Sequence, residues 1–164
     1  EKEELMGYWW LAPDDADGID TWARTLLSAE PLPDSAAAAW AALAPHLARM
    51  ANVTLWLAEL DGRPVAAAGL QVAKHVGWLR SAGVIPEARG RGIHRVLVAA
   101  RAAHAVELGA DLVGTQVVPG SPAEANVRRM SLVEVGRRRL VQTGRATARQ
   151  REYDWRDQAA AAPS

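Results

Sequence analysis

An extended apolar segment, a glycine-containing loop and a helix follow one another directly near the middle of the chain. The apolar segment ends at Ile85, the loop Arg89–Gly92 alternates arginine with glycine, and Ile93 opens a helical pattern. The first-turn amides of a helix have no internal partner, and the helix dipole adds partial positive charge there. Glycine lets a phosphate approach the backbone because no Cβ stands in the way. The segment therefore predicts an anion cradle for a diphosphate-bearing ligand, to which Arg89 and Arg91 add charge-assisted contacts.

The spacing within this loop separates it from two common diphosphate-binding patterns. A Rossmann loop needs a third glycine at the position that Arg95 occupies. A Walker loop needs a Gly-Lys-Ser/Thr sequence, which the chain lacks. The simplest alternative is a solvated turn with no ligand, since short glycine motifs are weak signals by themselves. The sequence context on both sides of the loop decides between these interpretations.

The order of residues from Arg89 to His94 resembles the coenzyme A pyrophosphate loop of the GNAT family of N-acetyltransferases. That pattern is Gln/Arg-x-x-Gly-x-Gly/Ala, and it follows a hydrophobic strand and a Pro-Glu pair, here Pro86–Glu87. His94 stands where the family prefers Gly or Ala. The junction Ala12–Ile19 is similar to the family's first strand-to-helix connection, and Ser121–Asn126 resembles the start of its late helix. The resemblance covers nearly the whole chain.

This resemblance implies a bound acyl-coenzyme A, usually acetyl-CoA, whose acyl group is transferred to an amine of a small molecule or protein. The pantetheine arm would lie between two splayed strands, and the pyrophosphate would lie on the loop. The residues implied to bind the coenzyme are Gly83, Val84 and Ile85 for the arm, the amides of Arg89, Gly90, Arg91, Gly92, Ile93 and His94 with the Arg95 side chain for the pyrophosphate, and Asn126 for the arm. No metal is implied.

The hydrophobic periodicity predicts an order of elements that agrees with this family. Strands are predicted at Tyr8–Leu11, Thr54–Leu60, Val65–Val72, His75–Ile85, Asp111–Val118, Arg138–Thr143 and Ala148–Trp155, and helices at Asp15–Ser28, Ser35–Met50, Ile93–Leu108 and Pro122–Val135. Asp61-Gly62 is a strong hairpin signal, and Gly109 a good helix C-cap. The predicted fold class is α/β (α+β mixed), a GNAT-like acyl-CoA N-acyltransferase fold with a mostly antiparallel mixed sheet flanked by helices. We expect one domain over residues 1–158 and a flexible tail over 159–164.

Composition narrows the class of protein further. The chain has 164 residues and no cysteine, which excludes disulfides, cysteine metal sites and a cysteine nucleophile. No apolar run reaches membrane-spanning length, and the acidic start at Glu1–Glu4 is unlike a signal peptide, so we expect a cytoplasmic protein without a membrane partner. Residues 1–88 carry 6 Lys/Arg against 12 Asp/Glu, and residues 89–164 carry 13 Arg against 7. The basic half suits an anionic coenzyme, and the acidic half suggests a cationic amine as acceptor.

The catalytic groups are not assigned by the sequence. Many relatives use a tyrosine as general acid seven residues after the asparagine, and Val133 fills that position here. His75, Glu59 and Tyr153 are alternative proton carriers without a distinguishing feature. The alternative function is therefore a catalytically silent domain that binds acyl-CoA for regulation or assembly.

The sequence bears on two kinds of macromolecular partner, nucleic acid and a second copy of the chain. The arginine-rich segment Arg137–Arg156 raises the possibility of nucleic-acid binding, but it lacks interleaved aromatic residues and the overall charge is balanced, so no nucleic-acid partner is predicted. A homodimer is an option that the resemblance leaves open.

Overall fold

The structure is a computed structural model that describes residues 6–30 and 32–137. Its strands are β1 (Met6–Trp10), β2 (Val53–Leu60), β3 (Arg63–Ala73), β4 (Val76–Val84) and β5 (Leu112–Thr115), and its α-helices are α1 (Ala16–Ala29), α2 (Asp34–Ala48), α3 (Ile93–Glu107) and α4 (Pro122–Arg129). A single 3-10 turn, Pro86–Ala88, follows β4. The chain divides into two compact units, residues 1–116 and 117–164. The predicted strands Arg138–Thr143 and Ala148–Trp155, and with them Tyr153, lie outside the described residues.

The five strands form one sheet in the order β1-β2-β3-β4-β5. The first four strands pair antiparallel, whereas β5 runs parallel to β4. Asp61 and Gly62 join β2 to β3, and both have positive φ, as a tight hairpin turn requires. The mixed, mostly antiparallel sheet flanked by helices confirms the predicted fold class.

Helices α1 and α2 cover one face of the sheet. Asp15 caps α1, since its side chain accepts a hydrogen bond of 2.9 Å from the amide of Gly18. The core on this side contains Ile19 and Trp22 of α1 together with Leu55 and Leu57 of β2. Because side chains alternate along a strand, the residue between those two leucines faces the opposite side.

Helix α3 covers that opposite face. Trp56 of β2 points towards it and meets His104 with their ring centroids 5.5 Å apart. Its buried residues are Ile93, Leu97, Val98, Arg101 and Ala105. Val96 and Ala100 of the same helix are half-buried.

Three predicted element ends differ from the structure. His75 lies in a turn with φ of 62°, so β4 begins at the next residue. Strand β5 ends at Thr115 instead of Val118. Helix α4 ends at Arg129 instead of Val135, because Ser131 adopts a left-handed conformation with φ of 63°.

The end of α4 is a Schellman motif, which explains its early termination. The amide of Leu132 donates to the carbonyl of Val127, and that of Ser131 donates to the carbonyl of Arg128. Such motifs usually use glycine at the left-handed position. A serine there gives no signal in the sequence.

Candidate cofactor-binding site

Strand β4 extends beyond its pairing with β5, so part of its edge on that side has no neighbouring strand among the described residues. The last pair between the two strands joins Leu79 to Thr115. Thr115 reinforces this point, since its hydroxyl donates to the carbonyl of Leu79 over 3.0 Å. Residues Arg80–Val84 continue without a β5 partner in the described part of the chain. We call this stretch the open edge.

A β-bulge interrupts the pairing of β3 with β4 at the start of the open edge. Ala67 pairs with Gly83 and Gly69 pairs with Arg80, so Ser81 and Ala82 together face the single residue Ala68. Ser81 has a positive φ of 46°. We call the two residues Ser81 and Ala82 the β4 bulge.

The β4 bulge shifts the alternation of side chains along β4, so that residues on its two sides exchange the face of the sheet to which they point. A Cβ placed on Gly77 would meet Ala105 of α3, whereas one placed on Gly83 would meet Ala29 of α1. Residues six apart in a regular strand point to the same face. The extra residue therefore turns the end of β4 over, and it brings Gly83 into close contact with α1.

Three main-chain carbonyls around the bulge accept hydrogen bonds from buried side chains. Trp22 Nε1 of α1 donates to Ala68 over 2.8 Å. Arg101 Nη1 of α3 donates to Gly69 over 2.8 Å and to Arg80 over 3.2 Å. Buried side chains therefore hold the main chain around the bulge from both faces of the sheet.

Arg101 is a buried residue that the sequence did not single out. Its residue surface is 1% exposed, and its Nε also donates to the carbonyl of Leu97 over 2.9 Å. Burial lowers the pKa of Arg101 to about 10. No described carboxylate pairs with it, so its positive charge is balanced only by carbonyl dipoles.

The loop Arg89–Gly92 connects β4 to α3 in the way that the sequence predicted. Gly90 and Gly92 have φ of 78° and 79°, the left-handed region that favours glycine. A Cβ on either residue would meet no atom of the described residues within 4 Å. The space beside both glycines is therefore open for a ligand.

Several main-chain amides around the start of α3 have no hydrogen-bond partner among the described residues. Hydrogen bonds are found for none of the N–H groups of Gly90, Gly92, Ile93, His94 and Arg95 within the described residues. The first internal bond of the helix runs from Val96 to the carbonyl of Gly92. The orphan donors of a helix start, together with its dipole, form a binding site for an anion. Arg91 and Arg95 are exposed beside them.

The side chain of Arg89 is engaged within the protein. Its Nη2 donates to the carbonyl of Ala29 over 2.9 Å, and its Nε donates to that of Val84 over 3.2 Å. Its amide donates to Pro86. These bonds tie the loop to the end of α1, and the charge-assisted contact of Arg89 with an anion stays a prediction.

Among the predicted arm-binding residues Gly83, Val84 and Ile85, some main-chain groups face β3 and others face the open edge. Ile85 donates to Val65, and its carbonyl accepts from Ala88, so both groups are engaged. Because antiparallel pairs alternate, Gly83 also turns its groups to β3 and Val84 turns its groups to the open edge. Of the three residues, Val84 therefore turns its main-chain groups to the open edge, where its carbonyl also accepts from Arg89. The arm contacts of Gly83, Val84 and Ile85 stay a prediction.

His94 lies on the first turn of α3 with its Nδ1 buried and without a hydrogen-bond partner among the described residues. Burial lowers the pKa of His94, and the positive charge of Arg101 lowers it further. Its main-chain amide belongs to the unpaired set described above. The side chain that departs from the family pattern thus points inward, away from the position of a loop-bound phosphate.

The second compact unit contains the remaining predicted site residue. Asn126 lies on α4, and its side-chain oxygen accepts a hydrogen bond from Arg129 Nη1 over 3.2 Å. Ser121 caps this helix by accepting from the amide of Glu124. Val133 follows the helix with 85% of its surface exposed.

The other titratable groups named from the sequence are dispersed. His75 is exposed in its turn, with Nδ1 3.7 Å from Asp111. Glu59 is half-buried on β2 beside Gly7. Across residues 6–30 and 32–137, no three histidine or acidic side chains come together to hold a metal ion. The same residues contain no helix with the length and apolar character to span a membrane.

Solved structures of similar fold give this geometry a context. An aminoglycoside N-acetyltransferase in complex with CoA has a TM-score of 0.69 at 16% identity, covering 88% of this chain and 98% of that one. A ribosomal-protein-alanine N-acetyltransferase from Brucella melitensis biovar Abortus has a TM-score of 0.64 at 16% identity, covering 85% and 100%. A predicted acetyltransferase with acetyl-CoA from Clostridium acetobutylicum has a TM-score of 0.64 at 13% identity, covering 84% of this chain and 96% of that one.

Sequence comparison assigns the family. A search of curated proteins gives no significant match. The acetyltransferase (GNAT) family matches residues 16–127, a range that includes the sheet from β2 to β5, the glycine loop and α3. The chain belongs to the acetyltransferase (GNAT) family.

Proposed function

We propose that this protein is an N-acetyltransferase that transfers an acetyl group from acetyl-CoA to an amine. The observation that carries the proposal is the set of unpaired amides at Gly90 and at Gly92–Arg95, next to the open edge of β4. A pyrophosphate supplies the anionic acceptors that these donors lack. An extended amide-containing arm suits a strand edge, because strand addition uses main-chain hydrogen bonds.

The proposed binding roles follow from the groups that are available. The amides of Gly90, Gly92, Ile93, His94 and Arg95 would hold the pyrophosphate, and the side chains of Arg91 and Arg95 would add positive charge. Val84 would pair with the pantetheine arm. Asn126 is proposed as a further contact of the arm on the strength of the family resemblance.

The proposed chemistry is direct attack of a neutral amine on the thioester carbonyl. The nitrogen forms a bond to the carbonyl carbon, the carbon–sulfur bond breaks, and the sulfur leaves as a thiolate that gains a proton, while the amine loses one. Main-chain N–H groups at the start of the open edge would stabilise the negative charge that develops on the carbonyl oxygen. No residue is assigned as general acid or base, because Val133 occupies the position of the family's tyrosine.

We propose that the acceptor is a cationic amine of a small molecule or protein. The excess of acidic residues in positions 1–88 supports a positively charged acceptor. Similar solved structures include one of an aminoglycoside acetyltransferase in complex with sisomicin, an example of a small-molecule amine. Since acetyl-CoA is available inside cells, we expect the reaction to take place in the cytoplasm.

Ligand-dependent melting tests the proposed binding. A ligand present at a hundred times its dissociation constant raises the free energy of unfolding by about 2.7 kcal/mol. We expect stabilisation by acetyl-CoA and by CoA, and none by NAD, which carries a diphosphate but no pantetheine arm. Equal stabilisation by NAD would show a general diphosphate site, and no stabilisation by CoA would refute the proposal.

Release of free thiol tests the proposed transfer. The protein contains no cysteine, so every thiol detected with a colorimetric disulfide reagent comes from CoA. We expect thiol release that depends on an amine acceptor, with cationic polyamines ahead of anionic amines. The second candidate is the silent acyl-CoA-binding domain, which the valine at position 133 favours. Tight binding of CoA without thiol release from any amine would support that candidate.

A further inference from the structure

Arg101 is a buried cation with an unusual set of partners. It is 1% exposed, and its three hydrogen bonds go to main-chain carbonyls. Removing a charge from water is costly, and the attraction of a paired carboxylate usually offsets that cost. No carboxylate pairs with Arg101 in the described part of the chain. A packed apolar side chain would fill the same space, so the charge at this position calls for an explanation.

The location of its partners links Arg101 to the start of the open edge. One carbonyl belongs to Gly69 on β3, and the other belongs to Arg80, the last β4 residue before the bulge. The C=O and N–H of one trans peptide point in opposite directions. Because Arg80 directs its C=O to Arg101, the N–H of Ser81 points away from Arg101. The carbonyl of Leu79 faces β5, where it accepts from Thr115. Because carbonyl directions alternate along a strand, that of Arg80 faces β3, and the N–H of Ser81 therefore faces the edge that β5 leaves open.

The position along β4 suits the reacting end of the proposed acyl donor. The unpaired amides at the start of α3 mark the pyrophosphate end, and Leu79 marks the point where β4 and β5 come together. Ser81 lies at the inner end of the open edge, next to that point. An arm that enters from the glycine loop and runs along β4 would place its terminal thioester there.

We propose that Arg101 is a positioning residue for acyl transfer, because its guanidinium holds the peptide between Arg80 and Ser81 so that the N–H of Ser81 faces the thioester carbonyl. This inference rests on the proposed function. Arg101 contacts neither substrate directly, and it acts by fixing and polarising one peptide group. Its positive charge lies on the carbonyl side of that peptide, which makes the N–H a stronger donor.

The carbonyl stretching frequency of bound acetyl-CoA tests the inference without knowledge of the acceptor. Acetyl-CoA labelled at its carbonyl carbon allows isotope-edited infrared spectra of the complex. A hydrogen bond from Ser81 lowers the stretching frequency below that of free acetyl-CoA. We expect Arg101→Lys to return the frequency towards the free value, because the shorter side chain keeps the charge but does not reach both carbonyls. Arg101→Met removes the charge as well and should do the same.

The controls separate positioning from stability. Both variants should bind CoA within about threefold of the unchanged protein, because the pyrophosphate amides lie elsewhere. Arg24→Lys, at an exposed α1 residue paired with Asp20, should leave the frequency unchanged. Once an acceptor is known, kcat should fall about tenfold or more in Arg101→Lys while KM for acetyl-CoA changes little.

Three outcomes would overturn the inference. A folded Arg101→Lys variant with an unchanged carbonyl frequency would show that the peptide keeps its orientation without the guanidinium. Failure of both variants to fold would make Arg101 a residue of the core alone. An unshifted frequency in the unchanged protein, with acetyl-CoA bound, would show that no hydrogen bond reaches the carbonyl. Absence of acetyl-CoA binding would instead refute the proposed function itself.

Discussion

The indole N–H of Trp22 donates to the carbonyl oxygen of Ala68, which faces the β4 bulge from β3. Arg101 holds the neighbouring carbonyl of Gly69 from the other face of the sheet. Two buried side chains from different helices therefore stabilise the same irregularity. A buried main-chain group is costly to leave without a hydrogen bond, and these two side chains donate to carbonyls beside the bulge.

Replacement of Trp22 tests the contribution of its hydrogen bond. Trp22→Phe keeps an aromatic ring but leaves the buried carbonyl of Ala68 without its donor, which should lower the free energy of unfolding by about 1–3 kcal/mol. Trp40→Phe is the matched control, because Trp40 is half-buried and its indole makes no hydrogen bond within the described residues. Urea denaturation of both variants gives the comparison. Equal destabilisation would attribute the effect to ring size alone.

Close packing of α1 on the end of β4 predicts that a methyl group at Gly83 is not accommodated. The added Cβ would lie 2.6 Å from the Cβ of Ala29. Gly83→Ala should destabilise the fold by about 1–3 kcal/mol through overpacking. Ala29→Gly, at the last residue of α1, should cost about 1 kcal/mol or less alone. The double variant should recover part of the stability that Gly83→Ala loses. Strictly additive changes in the free energy of unfolding would contradict the contact between residues 83 and 29.

The two left-handed glycines that flank α3 provide a matched pair for ligand binding. Gly92 at its start and Gly109 after its end have φ of 79° and 86°, and a Cβ added to either would have no atom within 4 Å in the part of the chain that the structure describes. Alanine at either position should strain the backbone by a similar amount, about 1 kcal/mol. Only Gly92→Ala adds a methyl group at the proposed pyrophosphate site, so we expect CoA affinity to fall about tenfold or more in this variant alone. Calorimetric titration measures the CoA affinity of both variants, and equal affinities would contradict a pyrophosphate site at Gly92.

Burial of His94 predicts a dependence of stability on pH. Its folded pKa lies below the ordinary value of 6.5, because burial and then Arg101 disfavour the charged form. Below about pH 6.5 the unfolded chain binds this proton more readily than the folded chain. The stability is therefore fully present above pH 6.5 and decreases as the pH falls towards the folded pKa. Melting temperatures of His94→Leu should decline less between pH 7.5 and pH 5.5 than those of the unchanged protein, a range of about two pH units around that value.

An exposed histidine provides the control for this titration. His46 lies on the surface of α2. His46→Gln, which removes a histidine from the surface of α2, is the matched variant for this comparison. A His94→Leu profile that is parallel to the unchanged one would show that another group carries the pH dependence.

Local signals in the sequence were enough to predict most of the element order. The hairpin at Asp61-Gly62 and the glycine after α3 depend only on neighbouring residues, and the structure confirms both. The left-handed glycines of the loop could be predicted for the same reason. The single-domain boundary and the role of Asn126 stay predictions.

The features that sequence reasoning missed depend on contacts between distant segments. The β4 bulge follows from the register between two strands, and Ser81-Ala82 is not a recognisable turn sequence. Arg101 was overlooked because an arginine is normally expected on a solvated face. Its spacing of four residues from Leu97 and from Ala105 placed it on the buried side of α3, and that was the available clue.

A recognition surface made of peptide groups tolerates substitution in a way that a surface made of side chains does not. Along Arg80–Val84 the groups on offer are amides and carbonyls, which every residue type except proline provides in full. Mutation can therefore change an exposed side chain such as that of Arg80 while the shape of the strand, and whatever it recognises, stays the same. The residues that tolerate substitution least would then be the buried side chains whose hydrogen bonds hold the strand in shape. A search for this activity among related sequences should therefore compare buried hydrogen-bond donors before surface motifs.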